Sequence, residues 1–130
     1  MPMYTVSTKA PLNSQVKLKV AQAITNINCE LTGAPKGFVN VVFSENVPLR
    51  RHVALNIFGN IRKGRTPEMN QELSDSLVNE IGILSNIAKE AIEISLFEVP
   101  ATWVVEGGEV LPEPGEEDKC NWLNVERVTA

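Results

Sequence analysis

Pro2 stands directly behind the initiator methionine. Methionine is ordinarily removed ahead of a small residue, and proline qualifies, so the processed chain is expected to start with a secondary amine. An ordinary α-amine titrates near pH ~8. Burial against apolar groups, or arginines close by, disfavours the ammonium form and lowers that value. The amine then works as a base at neutral pH, or as an acid when less perturbed. Met-Pro by itself also describes an inert terminus, the ordinary fate of chain ends. The reading therefore depends on companions.

Arg62 and Arg65 are the first of these. They flank Lys63-Gly64 and run into Thr66-Pro67-Glu68, which reads as a capping threonine, a proline at the first helical position and an acid in the first turn. A helix start presents unpaired N–H groups and a positive dipole end, which favour anions. Gly64 lets the backbone approach closely. Two guanidinium forks beside such a terminus suit a carboxylate; a solvated basic loop is the alternative. Lys63 is expected to face solvent. Glu106 follows the apolar pair Val104-Val105 and precedes Gly107-Gly108. Desolvated, its carboxylate could orient or activate a water; otherwise it is a surface acid. Asn28 falls on the apolar side of the first predicted helix, where an amide needs a partner. Tyr4 lies near Pro2 in sequence and serves either packing or the site. His52 sits in a polar turn, Arg50-Arg51-His52, and carries no assigned role.

The elements that would position these residues form a repeat. A strand is predicted over residues 4–7 and a helix over 14–31, whose apolar positions Val16, Val20, Ala23, Ile24, Ile27 and Leu31 recur at helical spacing. Asn13 or Ser14 caps it and Thr32-Gly33 stops it. A strand follows over 39–43. The second unit replays this, with a strand over 53–58, a loop over 59–65, and a helix from Thr66 with the stripe Met69, Leu73, Leu77, Ile81, Leu84 and Ala88. Residues 92–97 then alternate as a strand. Two β-α-β units with crossover helices imply parallel strand pairs within each unit. The expected fold class is α/β (α+β): duplicated β-α-β units forming a four-stranded sheet with two helices on one face. Two helices leave the other face open. Met3, Val42, Phe58 and Phe97 on that face predict an oligomeric protein.

Composition bounds the rest. The 130 residues are the size of one domain, and 43% are apolar, enough for a core. Residues 1–105 carry ten basic and nine acidic side chains and the remainder two and seven, so any anion site is local and no nucleic acid partner is expected. No apolar run approaches a membrane span and no signal pattern is visible, which predicts a cytoplasmic protein without membrane association. Cys29 and Cys120 are far apart with no clustered His or Cys, so neither a metal site nor a disulfide is expected. No P-loop, Rossmann or GxSxG pattern is present.

Pro2-Met3-Tyr4, Ala23-Ile24-Thr25, Leu31-Thr32-Gly33, Arg62-Lys63-Gly64-Arg65, Val99-Pro100-Ala101, Val105-Glu106 and Leu111-Pro112-Glu113-Pro114-Gly115 together resemble the tautomerase superfamily, specifically its cis-3-chloroacrylic acid dehalogenase branch. The resemblance implies a domain over residues 1–115, with repeats at about 2–48 and 53–100, a C-terminal tail over 116–130, and a homotrimer. It implies that Pro2 and Glu106 are catalytic and that Arg62 and Arg65 hold a small substrate's carboxylate, with no cofactor. Asn28 stands where the branch has a histidine and Ser95 where it has a tyrosine; both are possible substrate contacts, as is Tyr4. The implied activity is tautomerisation of a small enol/keto carboxylic acid. The alternative is cofactor-independent hydration or hydrolytic dehalogenation of 3-haloacrylate-like or acetylenic acids. A non-catalytic binding protein on the same scaffold is the further alternative.

Overall fold

The computed structural model describes residues 1–116. Cys120 and the tail expected over 116–130, beyond its first residue, lie outside the described residues. The described chain runs β1 (Met3–Thr8), α1 (Ser14–Thr32), β2 (Asn40–Ser44), β3 (Leu55–Arg62), α2 (Pro67–Ser85), β4 (Ile92–Val99) and a hairpin of β5 (Val105–Glu106) and β6 (Glu109–Val110).

Local chemistry sets both helix ends. The Asn13 side chain accepts from the Val16 N–H at 2.8 Å, opening α1, and Gly33 closes it at φ 75°, where its N–H reaches the Cys29 carbonyl. In α2 the Thr66 hydroxyl accepts from the Met69 N–H at 3.1 Å. Asn86, in the left-handed conformation at φ 57°, ends the helix, so Ala88 lies past it and does not extend the predicted stripe. Both helices are 19 residues long. Val20, Ile24 and Asn28 of α1 and Leu73, Leu77 and Ile81 of α2 are buried one to two turns apart, the period of a one-sided helix.

The strands form one sheet in the order β2-β1-β3-β4. β1 pairs parallel with β2 and β3 parallel with β4, as crossover helices require, and β1 pairs antiparallel with β3 at the centre. The duplicated fold expected from the repeat is therefore the fold observed, with both helices on one face. Tyr4, Val6, Leu55, Ile57 and Ile61 face the helices and are buried with their apolar stripes. The alternate residues make the open face, where Met3, Val42, Phe58 and Phe97 are each more than two-fifths exposed.

One expected loop proved to be strand. Gly59 and Asn60 read as breakers, yet β3 continues to Arg62 because each residue finds a partner on β4, up to Arg62 opposite Val99. Gly59 is there for space. A Cβ on it would sit 2.7 Å from Cε1 of Tyr4 and 2.9 Å from Cδ2 of Leu96. The Tyr4 ring therefore lies on bare backbone, the use of a strand glycine that permits close approach. Gly59→Ala should destabilise the chain by about 1–3 kcal/mol through overpacking. Urea unfolding followed by circular dichroism checks this; an unchanged midpoint would show that the Tyr4 ring can move aside.

Candidate active site

The head of β1 lies at the mouth of a cleft on the helix side of the sheet. Met1, Pro2, Asn28, Arg62, Arg65 and Asn70 supply its polar and terminal lining, and Ile61, Leu73 and Leu111 part of its apolar wall. The space in the cleft and its solvent-open mouth together is about 640 Å³. Asn28 and Thr32 at the C-terminal end of α1, with Gly33, Ala34 and Pro35 just after it, contribute a further side.

Each feature has a local cause. Pro2 is buried, and its carbonyl accepts from the Asn40 N–H at 3.1 Å, so the chain start is fixed in the sheet. Arg62 ends β3, rather than lying in a loop, and its Nη1 donates to the Pro112 carbonyl at 2.7 Å. Arg65 immediately precedes the Thr66 cap of α2 and directs Nη1 toward the Arg62 carbonyl at 3.5 Å. Between them Gly64 adopts φ 118°, and a Cβ there would meet Pro114 at 3.1 Å. Lys63 is exposed. Glu106 is held by the β5–β6 hairpin, whose Gly107 and Gly108 have φ 61° and 82°, the pattern of a type I′ turn. Ala101 and Leu111, both buried, anchor that hairpin to the body of the protein.

With Met1 in place, the Met1 amine and the Glu106 carboxylate form an ion pair at the cleft. In this form Pro2 carries an amide nitrogen, which exchanges no proton; the titratable amine of the cleft belongs to Met1. Its pKa is pulled down from 8.0 to about 6, first by burial and then by the positive charge of Arg62. Net lowering despite the adjacent carboxylate means that desolvation dominates.

Five of the seven residues singled out from sequence thus gather here: Pro2, Asn28, Arg62 and Arg65 line the cleft, and Glu106 reaches its amine. Tyr4 does not line the cleft. It is fully buried behind Asn28, and its hydroxyl donates to Asn28 Oδ1 at 2.7 Å. Ser95 is also elsewhere within the single chain: it is exposed on β4, opposite Phe58, on the open side of the sheet. The strand period explains this, because Ile94 and Leu96 take the helix-facing positions. Sequence reasoning missed Asn70 and Leu73. Both lie within two turns of the Thr66 cap, and their spacing of three residues was the available signal. Among the described residues no group of three His, Cys, Asp or Glu side chains could hold a metal ion, and no helix is long and apolar enough to cross a membrane.

Fold and site together define a protein built from paired β-α-β units with a terminal amine in an arginine-lined cleft. The solved structures it resembles agree on the fold. One is the crystal structure of N1, a member of the cis-3-chloroacrylic acid dehalogenase family, with TM-score 0.84 and 22% identity over 97% of this chain and 99% of that one. A fused 4-OT asymmetric trimer matches at TM-score 0.76 and 20% identity over 83% and 94%. Pt0534 inactivated by 2-oxo-3-pentynoate matches at TM-score 0.73 and 19% identity over 84% and 94%. No protein-family model matches the sequence, and no curated protein matches it. The tautomerase-superfamily fold implied by the motifs, and that of its cis-3-chloroacrylic acid dehalogenase branch, is the fold observed.

Arg62→Gln should raise the pKa of the terminal amine in the Met1-bearing chain. The guanidinium disfavours a second positive charge nearby, so its loss lets the ammonium form persist to higher pH. The pH profile of amine acylation reads this directly. Its midpoint should move above about 6, and a midpoint that stays put would assign the whole effect to burial.

Proposed function

We propose that this chain is an enzyme of the tautomerase superfamily that interconverts enol and keto forms of a small carboxylic acid, using the secondary amine of Pro2 after Met1 is removed. The observation that carries the reading is a buried chain start that shares a cleft with Arg62 and Arg65. Burial and the Arg62 charge lower the basicity of an amine there. The arginine pair would hold the substrate carboxylate by charge-assisted hydrogen bonds. The neutral amine would take the enol O–H proton; as the O–H electrons form the carbonyl, the C=C pair would take a proton from the prolyl ammonium. The amine ends neutral, and no cofactor is needed. The head of the substrate sits where Met1 lies in the unprocessed chain, so removal of Met1 both creates the base and vacates space for the substrate.

Glu106 supports a second reading. A carboxylate able to reach the terminal amine could take a proton from water as the water oxygen attacks C3 of a 3-haloacrylate or an acetylenic acid and the prolyl ammonium gives its proton to C2; the 3-halo-3-hydroxy acid formed from a haloacrylate would then lose the hydroxyl proton and halide to give the 3-oxo acid. Tautomerisation stands first, because Asn28 and Ser95 replace the histidine and tyrosine of the dehalogenase branch. Residues 1–115 are read as the functional domain, and the open sheet face as the surface of self-association, by homology of fold to trimeric fused 4-OT.

Measurements of mass, turnover, labelling and assembly test this. Intact mass must give a chain lacking Met1. Processed protein should ketonise phenylenolpyruvate with kcat/KM rising as the Pro2 amine loses its proton, because only the neutral amine is a base. Pro2→Ala should lose about 100-fold or more; equal turnover would defeat the mechanism. Since Pt0534 is inactivated by 2-oxo-3-pentynoate, the same compound should add once, at Pro2. Halide release from a 3-haloacrylate that exceeds ketonisation would promote the second reading. For assembly, Phe58→Glu should shift sedimentation from a trimer to a monomer, since it sets a charge on the apolar face; a monomeric parent would remove the oligomer from the account.

A further inference from the structure

One polar atom at the cleft has no use within the chain. Asn70 stands one turn into α2, where its N–H reaches the Thr66 carbonyl at 3.1 Å, and it lines the cleft together with Arg62 and Arg65. Its amide nitrogen donates to Glu98 Oε1 at 2.5 Å. Glu98 is exposed on β4 and is no part of the cleft lining. A carboxylate accepts and does not donate, so the amide has one possible orientation: the nitrogen goes to Glu98 and Oδ1 is the end left over. That oxygen is buried without a hydrogen-bond partner. Two guanidinium groups line the same cleft, yet neither donates to it. Among the described residues the only other buried side-chain oxygen in this condition is Thr8 Oγ1, at the far end of β1 from Pro2 and outside the lining. A buried acceptor without a partner is costly, and native proteins keep few of them. One that belongs to a ligand cleft is accounted for when the ligand brings the donor. Met1 lines the cleft as well, with its side chain only 9% exposed, so it is packed within the lining and its removal opens space among these residues.

We infer that Asn70 is a specificity-determining residue whose Oδ1, in the processed chain, accepts a hydrogen bond from a hydroxyl of the substrate, that Glu98 is the positioning residue which keeps the oxygen rather than the nitrogen for the cleft, and that the substrate class is therefore a small hydroxylated acid. This rests on the proposed role of Arg62 and Arg65 as the carboxylate clamp and adds a second point of recognition. The hydroxyl is not the enol O–H, whose proton goes to the Pro2 nitrogen; a bond from that group to Asn70 would compete with the transfer. Asn70 takes no proton itself and acts on binding alone. A 3-haloacrylate carries no hydroxyl and would leave Oδ1 unmatched.

The test needs no turnover. Full-length protein, its loss of Met1 verified by mass, is titrated by NMR with propanoate, lactate and 3-hydroxypropanoate, acids of one charge and one chain length whose hydroxyl is absent, on C2 or on C3. One of the hydroxy acids should bind about tenfold more tightly than propanoate, the worth of one well-placed hydrogen bond. Asn70→Leu keeps the size and removes the acceptor; the preference should vanish while propanoate affinity holds. Glu98→Ala lets the amide turn over, and the preference should fall several-fold; Glu98→Gln, which still offers an acceptor oxygen, should restore it. A merely structural role for the pair would not separate a hydroxylated acid from a plain one. If neither hydroxy acid is preferred, or if the preference survives Asn70→Leu, the assignment of Asn70 is overturned and the clamp stands. A preference lost in Asn70→Leu but intact in Glu98→Ala overturns the role of Glu98. Failure of all three acids to bind the parent chain overturns the clamp itself and with it this inference.

Discussion

Everything at the cleft depends on the exclusion of water from one amine. β1 is an interior strand, paired on both sides, and its first residues are fixed by the Pro2–Asn40 hydrogen bond. A chain terminus ordinarily projects into solvent, where its ammonium form is well hydrated. Here the terminus is drawn under the Arg62 side chain, and both effects act against the positive charge. The rest of the molecule can be understood as the framework that keeps this end in place: a sheet that centres β1, helices that cover it on one side, and a hairpin that closes over it.

The framework and the site share atoms. Tyr4 lies on the bare backbone of Gly59 and also orients Asn28. Gly64 admits Pro114, and the Pro112 carbonyl receives Arg62. The segment after β4 therefore supplies Glu106 and fixes one of the two arginines. Changes in that segment would move Glu106 and Arg62 together, although none of its backbone belongs to the central sheet.

Most of the fold was legible because the helix and strand periods are strong and the two units reinforce each other. The cap at Thr66 and the stop at Gly33 follow from residue type alone, whereas residue type left Asn13 and Ser14 both open as the cap of α1 and the structure chooses Asn13. The extension of β3 to Arg62 was not legible, because Gly59 and Asn60 look like breakers until the Tyr4 ring and the β4 partner are in place. The helix end at Asn86 was hidden for the complementary reason, since Ala88 happened to continue the apolar period. At the site, residue chemistry and family resemblance pointed to Pro2, Arg62, Arg65 and Glu106. They could not separate Tyr4, one layer behind Asn28, from a residue lining the cleft. Nor could they orient Ser95, because the strand period assigns it to a face without saying what stands against that face.

The pseudo-symmetry of the fold has a further implication. The two β-α-β units share one order of elements and one parallel pairing, and β1 and β3 run side by side in opposite directions at the centre of the sheet. A linked pair of copies nevertheless has a single free beginning. The start of β3 is an ordinary peptide link, so the second half has no ionisable nitrogen to offer at its own counterpart of the cleft. Joining two such units into one polypeptide thus halves the number of free amino ends per unit of mass, and it releases the second copy to specialise. Its strand and helix start now carry the arginines, a division of labour that two separate identical chains could not encode.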